Sequence, residues 1–350
     1  MGGCALQILA AIPVTVICEH VSPNIRLIWG HHNASGWEAM GRKGIVVSGI
    51  ALNSSALLAS LAIPSTVIWS YSVGGMVFAI GLVTIFLRGE WQKAQGLDKL
   101  ILFGPIFYAV PIAAFGTEHF TLTAAIASLV PKWIPWHLFW AYFVGACFIA
   151  AGLSLVTKIQ VRLSTSLLAL TFFLFVVLMD APGWARHPRN QFGLTLMLRE
   201  LSFCGGPLAL AATFAKNWRE RGTHVLATIA RYFVAVPVLF YSLEQFLRGD
   251  HVPGVPLEPL TPQYVPGHAI WTYLAAVVYA VGGIMLLVGK KTRTAATWVG
   301  LTVFFVVLVV YGPIAVVERA SLDNGLNYLF DTLMFCGTVL LLAGAMPRDA

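Results

Sequence analysis

Pro131-Lys-Trp-Ile-Pro135-Trp-His137-Leu-Phe-Trp140-Ala-Tyr142 returns 131 positions later as Pro262-Gln-Tyr-Val-Pro266-Gly-His268-Ala-Ile-Trp271-Thr-Tyr273. The register continues through Gly152/Gly283, Arg162/Arg293, Leu170/Leu301 and Pro182/Pro313. Upstream, Phe115-Gly-Thr-Glu118-His-Phe120 answers to Tyr241-Ser-Leu-Glu244-Gln-Phe246 after a five-residue insertion in the later copy. Downstream, Phe203-Cys204-Gly205 answers to Phe335-Cys336-Gly337. Three anchors in one order read as an internal repeat, and a repeat sets the architecture of everything between its anchors.

The solvent of that architecture follows from composition. With 58% apolar residues, 11% charged residues and a mean hydropathy of +0.79, the 350-residue chain is excluded from the soluble globular class and placed in a bilayer. About 20 apolar residues at 1.5 Å rise are needed to cross. Ten runs of that kind stand near 44–63, 66–87, 100–120, 137–156, 161–179, 194–214, 225–247, 268–288, 293–317 and 325–345. The expected fold is all-α: a polytopic integral membrane protein. Residues 1–43 form an N-terminal segment whose apolar start, Met1–Cys18, lacks the basic flank of a cleaved signal and reads as a short anchor or a misplaced start. Residues 44–97 hold a transmembrane hairpin and a cytoplasmic loop, and 98–215 and 216–350 hold the two repeats. Each repeat contains four spans, an even number, so both enter the membrane in the same direction and form two parallel four-helix bundles beside the hairpin.

The net charge of +7 and pI near 9.3 are a topology signal and give no reason to expect a nucleic-acid partner. Fifteen Lys and Arg residues fall in one set of alternate loops. Five, Lys132, Arg186, Arg189, Arg248 and Arg319, fall in the other, and Arg199 and Arg231 lie inside spans. Cytoplasmic loops accumulate Lys and Arg, so the C-terminus is expected in the cytoplasm of a multi-pass protein of the inner (plasma) membrane. Five cysteines without a CxxC pair imply neither a disulfide framework nor thioredoxin-like chemistry. Cys204 and Cys336 stand beside glycines, where small residues let helices approach. No histidine lies mid-span to ligate haem, and His31-His32 has no further ligand at metal spacing, so no metal site is expected. Prolines 253, 256, 259 and 262 recur every three residues, the period of polyproline II, and predict a stiff cap over the second copy.

Four stretches, FGTEHF (115–120), IPWHLFWAYF (134–143), KIQVR (158–162) and FCGG (203–206), resemble the DoxX family of four-helix membrane proteins. The second copy resembles the same module through YSLEQF, VPGHAIWTYL and GKKTR. The resemblance covers about residues 98–345 and implies a tandem DoxX-like protein. Family members are similar to the small subunit of archaeal thiosulfate:quinone oxidoreductase, and others accompany redox-stress systems. The resemblance thus implies a quinone as cofactor, nothing bound covalently, and a redox partner subunit beside the membrane lipid.

Ionisable groups inside spans cost roughly 2.5–3.5 kcal/mol on insertion scales, so each needs a partner or a task. Glu118 and Glu244 close the first helices of the copies, Arg199 and Glu200 lie two turns into the fourth, and Asp331 takes the place of Arg199 in the second copy. All sit at one depth. One reading pairs Glu118 with Arg199 to hold the bundle. The other makes Glu118 and Arg199 the reactive pair of a pocket in which a quinol headgroup meets His119, His137, Trp140, Tyr142 and Glu200. Glu244, His268, Trp271, Tyr273 and Asp331 are the second-copy counterparts. His137 and His268 equally suit helix starts, and Trp140, Tyr142, Trp271 and Tyr273 suit an aromatic belt. Three functions stay open: a quinone-linked redox subunit, a small-solute or proton-coupled transporter or channel, and a scaffold without chemistry.

Overall fold

The computed structural model describes residues 63–214, 220–255 and 259–348. Among these, nine helices are long and apolar enough to cross a membrane: α1 Ser65–Leu87, α2 Asp98–Thr121, α3 His137–Thr157, α4 Val161–Arg186, α5 Gln191–Thr213, α6 His224–Leu247, α7 Ala269–Val288, α8 Thr292–Val317 and α9 Leu322–Ala345. They reproduce nine of the ten expected spans. The run at 44–63, and with it the first arm of the hairpin, lies outside the described residues. The protein is a polytopic all-α membrane protein.

Local backbone chemistry recurs at the repeat spacing. Trp136 and Gly267, Lys158 and Gly289, and Gln160 and Lys291 all take left-handed backbone, with φ between 46° and 84°. Both third helices open into a π turn, Val176–Asp180 and Val307–Tyr311, immediately before Pro182 and Pro313. A proline offers no N–H and its ring crowds the carbonyl four residues back, so an α-helix running into it is relieved by admitting one extra residue. Cys204 Sγ meets Ala169 O at 3.2 Å, and Cys336 Sγ meets Gly300 O at 3.3 Å, tying each fourth helix to the third helix of its own copy.

The packing between copies departs from two bundles side by side. α5 and α9 run together through the middle, α2 packs on α9, and α6 packs on α5, so the last helix of each copy meets the first helix of the other. The closing motifs FCGG and FCGT make this possible residue by residue. A Cβ on Gly205 would stand 3.0 Å from Ala230 O of α6, Gly337 faces the backbone of Tyr108 and Phe107 in α2, and a Cβ on Gly206 would stand 2.9 Å from Thr338 Cα of α9. With no hydrophobic drive between helices in lipid, such backbone proximity is the main source of association. α1 lies outside, burying Val67, Val77 and Ile85 against α2 and α3.

The described part of the long loop between α6 and α7 is no polyproline rod, and Pro256 of the proline series lies outside the described residues. Val252 N donates to Pro259 O at 3.2 Å and Thr261 N to Asp250 O at 2.9 Å, so the chain doubles back with His251 opposite Leu260. Paired backbone and the burial of Val252 and Val255 outweigh the three-residue proline period. The tip is held from below: Tyr311 Oη donates to Pro253 O at 2.8 Å, Gln245 Nε2 to Gly254 O at 3.0 Å and Thr272 Oγ1 to His251 O at 3.0 Å. His251 Nδ1 lies 2.8 Å from Asp250 and holds that exposed carboxyl below its ordinary range. Any stabilisation from this pair is present above the usual carboxylate range and fades as pH falls through the lowered value. Removing one anchor hydroxyl by Tyr311→Phe is expected to cost about 1 kcal/mol and to speed amide exchange at Val252 to Val255, read by hydrogen-exchange mass spectrometry; unchanged exchange there would dismiss the anchor.

Candidate functional site

Arg199 is carried two turns into α5 and its side chain keeps 20% exposure. Its guanidinium donates to Asp331 Oδ2 of α9 at 2.7 Å and to Glu200 Oε1 at 2.9 Å. The Glu118–Arg199 pair expected from the sequence is therefore not made. The reason is the packing: α9 lies along α5 and brings Asp331, the counterpart of Arg199 in the other copy, into contact first. Arg199 thus bridges the copies instead of closing the first one.

The surrounding groups are carboxyl-rich and incompletely satisfied. Glu118, at the end of α2, is 8% exposed and its Oε1 has no hydrogen-bond partner, and the same holds for Asp180 Oδ2, Glu200 Oε2, Arg199 Nε and the hydroxyl of Tyr241. Asp331 and Asp323 lie within electrostatic reach of Glu118, and Arg199, Glu200 and Asp331 within reach of Tyr241. Buried polar atoms are nearly always paired, so several orphaned ones around one arginine mark a place where partners are expected to come from elsewhere. Chemically the cluster offers unpaired acceptors (Glu118, Asp180, Glu200), an unpaired donor (Arg199 Nε) and a hydroxyl able to do either (Tyr241).

The remaining candidates divide by position. His119 turns toward α3, with Nδ1 2.8 Å from Phe115 O and its ring edge-on to Phe148 at 5.4 Å. His137 opens α3. Trp140 and Tyr142 are exposed on the outer surface, Trp140 against Phe139 and Phe143, Tyr142 against Phe120. In the second copy Trp271 donates Nε1 to Pro266 O at 2.7 Å and Tyr273 is exposed, while His268 begins its helix and its side chain lies outside the described residues. Glu244 is engaged where Glu118 is not. Gln191, at the start of α5, donates to Glu244 and accepts from Arg248, and Arg248 Nε lies 3.9 Å from Glu244 Oε2.

Sequence reasoning missed Gln191, Arg248 and Tyr241. Tyr241 aligns with Phe115 in the repeat, and that exchange of hydroxyl for hydrogen was the available signal. Gln191 and Arg248 stand at span ends and become partners only through the α5–α6 contact.

The family match falls on the later half of the chain. Residues 226–312 match the DoxX family model. The DoxX-like segment runs from α6 to the π turn of α8 and so contains Glu244, His268, Trp271 and Tyr273, but stops before Asp331. No curated protein and no solved structure matches the chain. Among the described residues no group of three or more His, Cys, Asp or Glu side chains is placed to hold a metal ion.

Proposed function

We propose that this DoxX-like membrane protein is a quinone-associated redox subunit of the inner (plasma) membrane, acting with a partner protein that carries the electron-transferring cofactor. Its C-terminus is cytoplasmic on this reading, following the fifteen-to-five distribution of basic residues. The chain is taken as two copies of one four-helix module, supported by the recurring left-handed residues, π turns and cysteine contacts at matching positions.

The observation that carries the quinone reading is the set of unpaired donor and acceptor atoms on Arg199, Glu200, Asp180 and Tyr241, with Glu118 joined to them through its electrostatic reach to Asp331. A quinone supplies two-electron, two-proton chemistry between a carbonyl form and a hydroxyl form, and a site for both forms needs donors and acceptors side by side. Arg199 Nε and the Tyr241 hydroxyl suit carbonyl oxygens, and Glu118 and Glu200 suit hydroxyls. Asp331 holds the guanidinium in place through its 2.7 Å bond. Glu118, with one oxygen unpaired, is the group suited to take a proton at that oxygen.

Glu118→Gln keeps the shape and removes the proton-accepting oxygen. It is expected to leave thermal stability unchanged and to lower quinone-dependent turnover of the partner complex by about 10²–10⁴-fold, the range of general-base contributions. Protein purified with native lipid and extracted for quinone gives the direct measurement. Extracts without quinone, together with undiminished quinone reduction in membranes lacking the chain, would overturn the proposal.

A further inference from the structure

On the side of the basic loops, the start of α2, the start of α8 and the chain beyond α9 border an open cavity of about 270 Å³ lined by Leu97, Asp98, Arg293, Thr297, Trp298 and Arg348 among others. Arg293 is fixed in its wall: it donates to Ala343 O at 3.1 Å, Met346 O at 3.4 Å and Asp98 Oδ1 at 2.7 Å. Arg348 is different. Its side chain is 83% exposed and its one charged contact among the described residues, to Asp98 Oδ2, is 3.2 Å long. Exposed pairs of that kind contribute between nothing and about 1 kcal/mol, so Arg348 can leave Asp98 for a better acceptor. Among the described residues the lining sets two guanidiniums, Arg293 and Arg348, against one carboxylate, Asp98.

The geometry points to this cavity as a binding site for a phosphate group, supplied by an anionic phospholipid headgroup or by free phosphate. Its place favours the lipid. The cavity opens at the end of the spans, on the face where basic residues concentrate. Trp298, one turn deeper on the same face of α8 as Thr294, is 52% exposed and offers its ring at the level of the glycerol and upper acyl chain. Arg162, which aligns with Arg293 at the 131-residue spacing, is exposed and is not part of this lining.

The test uses the full chain in neutral detergent, delipidated and then given phosphatidylglycerol, phosphatidylcholine or inorganic phosphate, with bound mass read by native mass spectrometry. One phosphatidylglycerol is expected to be retained in preference to phosphatidylcholine. Arg348→Gln should weaken it about fivefold, the equivalent of roughly 1 kcal/mol for one arginine at a lipid surface, while Arg162→Gln leaves it unchanged. Trp298→Ala should weaken the lipid and spare inorganic phosphate if the headgroup is the source. Equal binding of inorganic phosphate, with Arg348→Gln weakening both and Trp298→Ala neither, keeps the site and assigns it to the free anion. No preference for phosphatidylglycerol and no binding of phosphate, or indifference to Arg348→Gln, overturns the site altogether. Arg348 lies beyond the last helix, so loss of the fold does not confound that variant.

Discussion

Arg199→Met is expected to destabilise the protein by about 3–5 kcal/mol. The cost comes from what is left behind: Asp331, 6% exposed, and Glu200 lose the one cation bonded to them among the described residues, and a buried carboxylate without a counter-ion is far more expensive than the pair is favourable. Arg199→Lys keeps the charge but cannot span two carboxylates with a planar fork, so an intermediate loss is expected. The double variant Arg199→Asp with Asp331→Arg restores opposite charges across α5 and α9 and should recover a large part of the loss, although Glu200 then neighbours the wrong sign. Unfolding midpoints in detergent, followed by helical circular dichroism, measure all three. A single variant within about 1 kcal/mol of the parent, or a swap no better than the single change, would remove the pair from the account of stability.

Gly206→Leu is the second large effect, about 3 kcal/mol at the upper end of what overpacking costs. The Cβ alone would meet Thr338 Cα at 2.9 Å and Thr338 O at 3.1 Å. Those are backbone atoms and cannot rotate aside, so α5 and α9 must separate and the Arg199–Asp331 bond must lengthen with them. Gly75→Leu is the control: a Cβ there has nothing within 4 Å, and Gly75 faces outward from α1, so stability should hold. If Gly206→Leu unfolds with the parent while retaining the parent's cross-linking between α5 and α9, the close crossing is not what joins the copies.

Nine of the ten spans were legible because hydropathy acts locally along the chain. Partnership was not. Arg199 meets Asp331 instead of Glu118 because of a choice between two apolar helix packings. Helices apolar on every side, as α9 is, carry no stripe to say which neighbour they take. The loop at 250–261 failed for another reason. The proline period reads only a local backbone preference, whereas Val252 and Val255 are apolar and buried and the backbone at 250–252 pairs with 259–261. The peripheral aromatics Trp140, Tyr142 and Tyr273 fit the aromatic-belt reading, which asks only for an exposed ring near a helix end.

The bond between Arg199 and Asp331 also bears on how the two halves can pair. The two residues are counterparts across the repeat, and they touch each other, so in a symmetric dimer of either half the same contact would set arginine against arginine or aspartate against aspartate. A complementary pair at that point requires two halves that differ in sequence there, so the contact between α5 and α9 is charge-matched only in an asymmetric pairing.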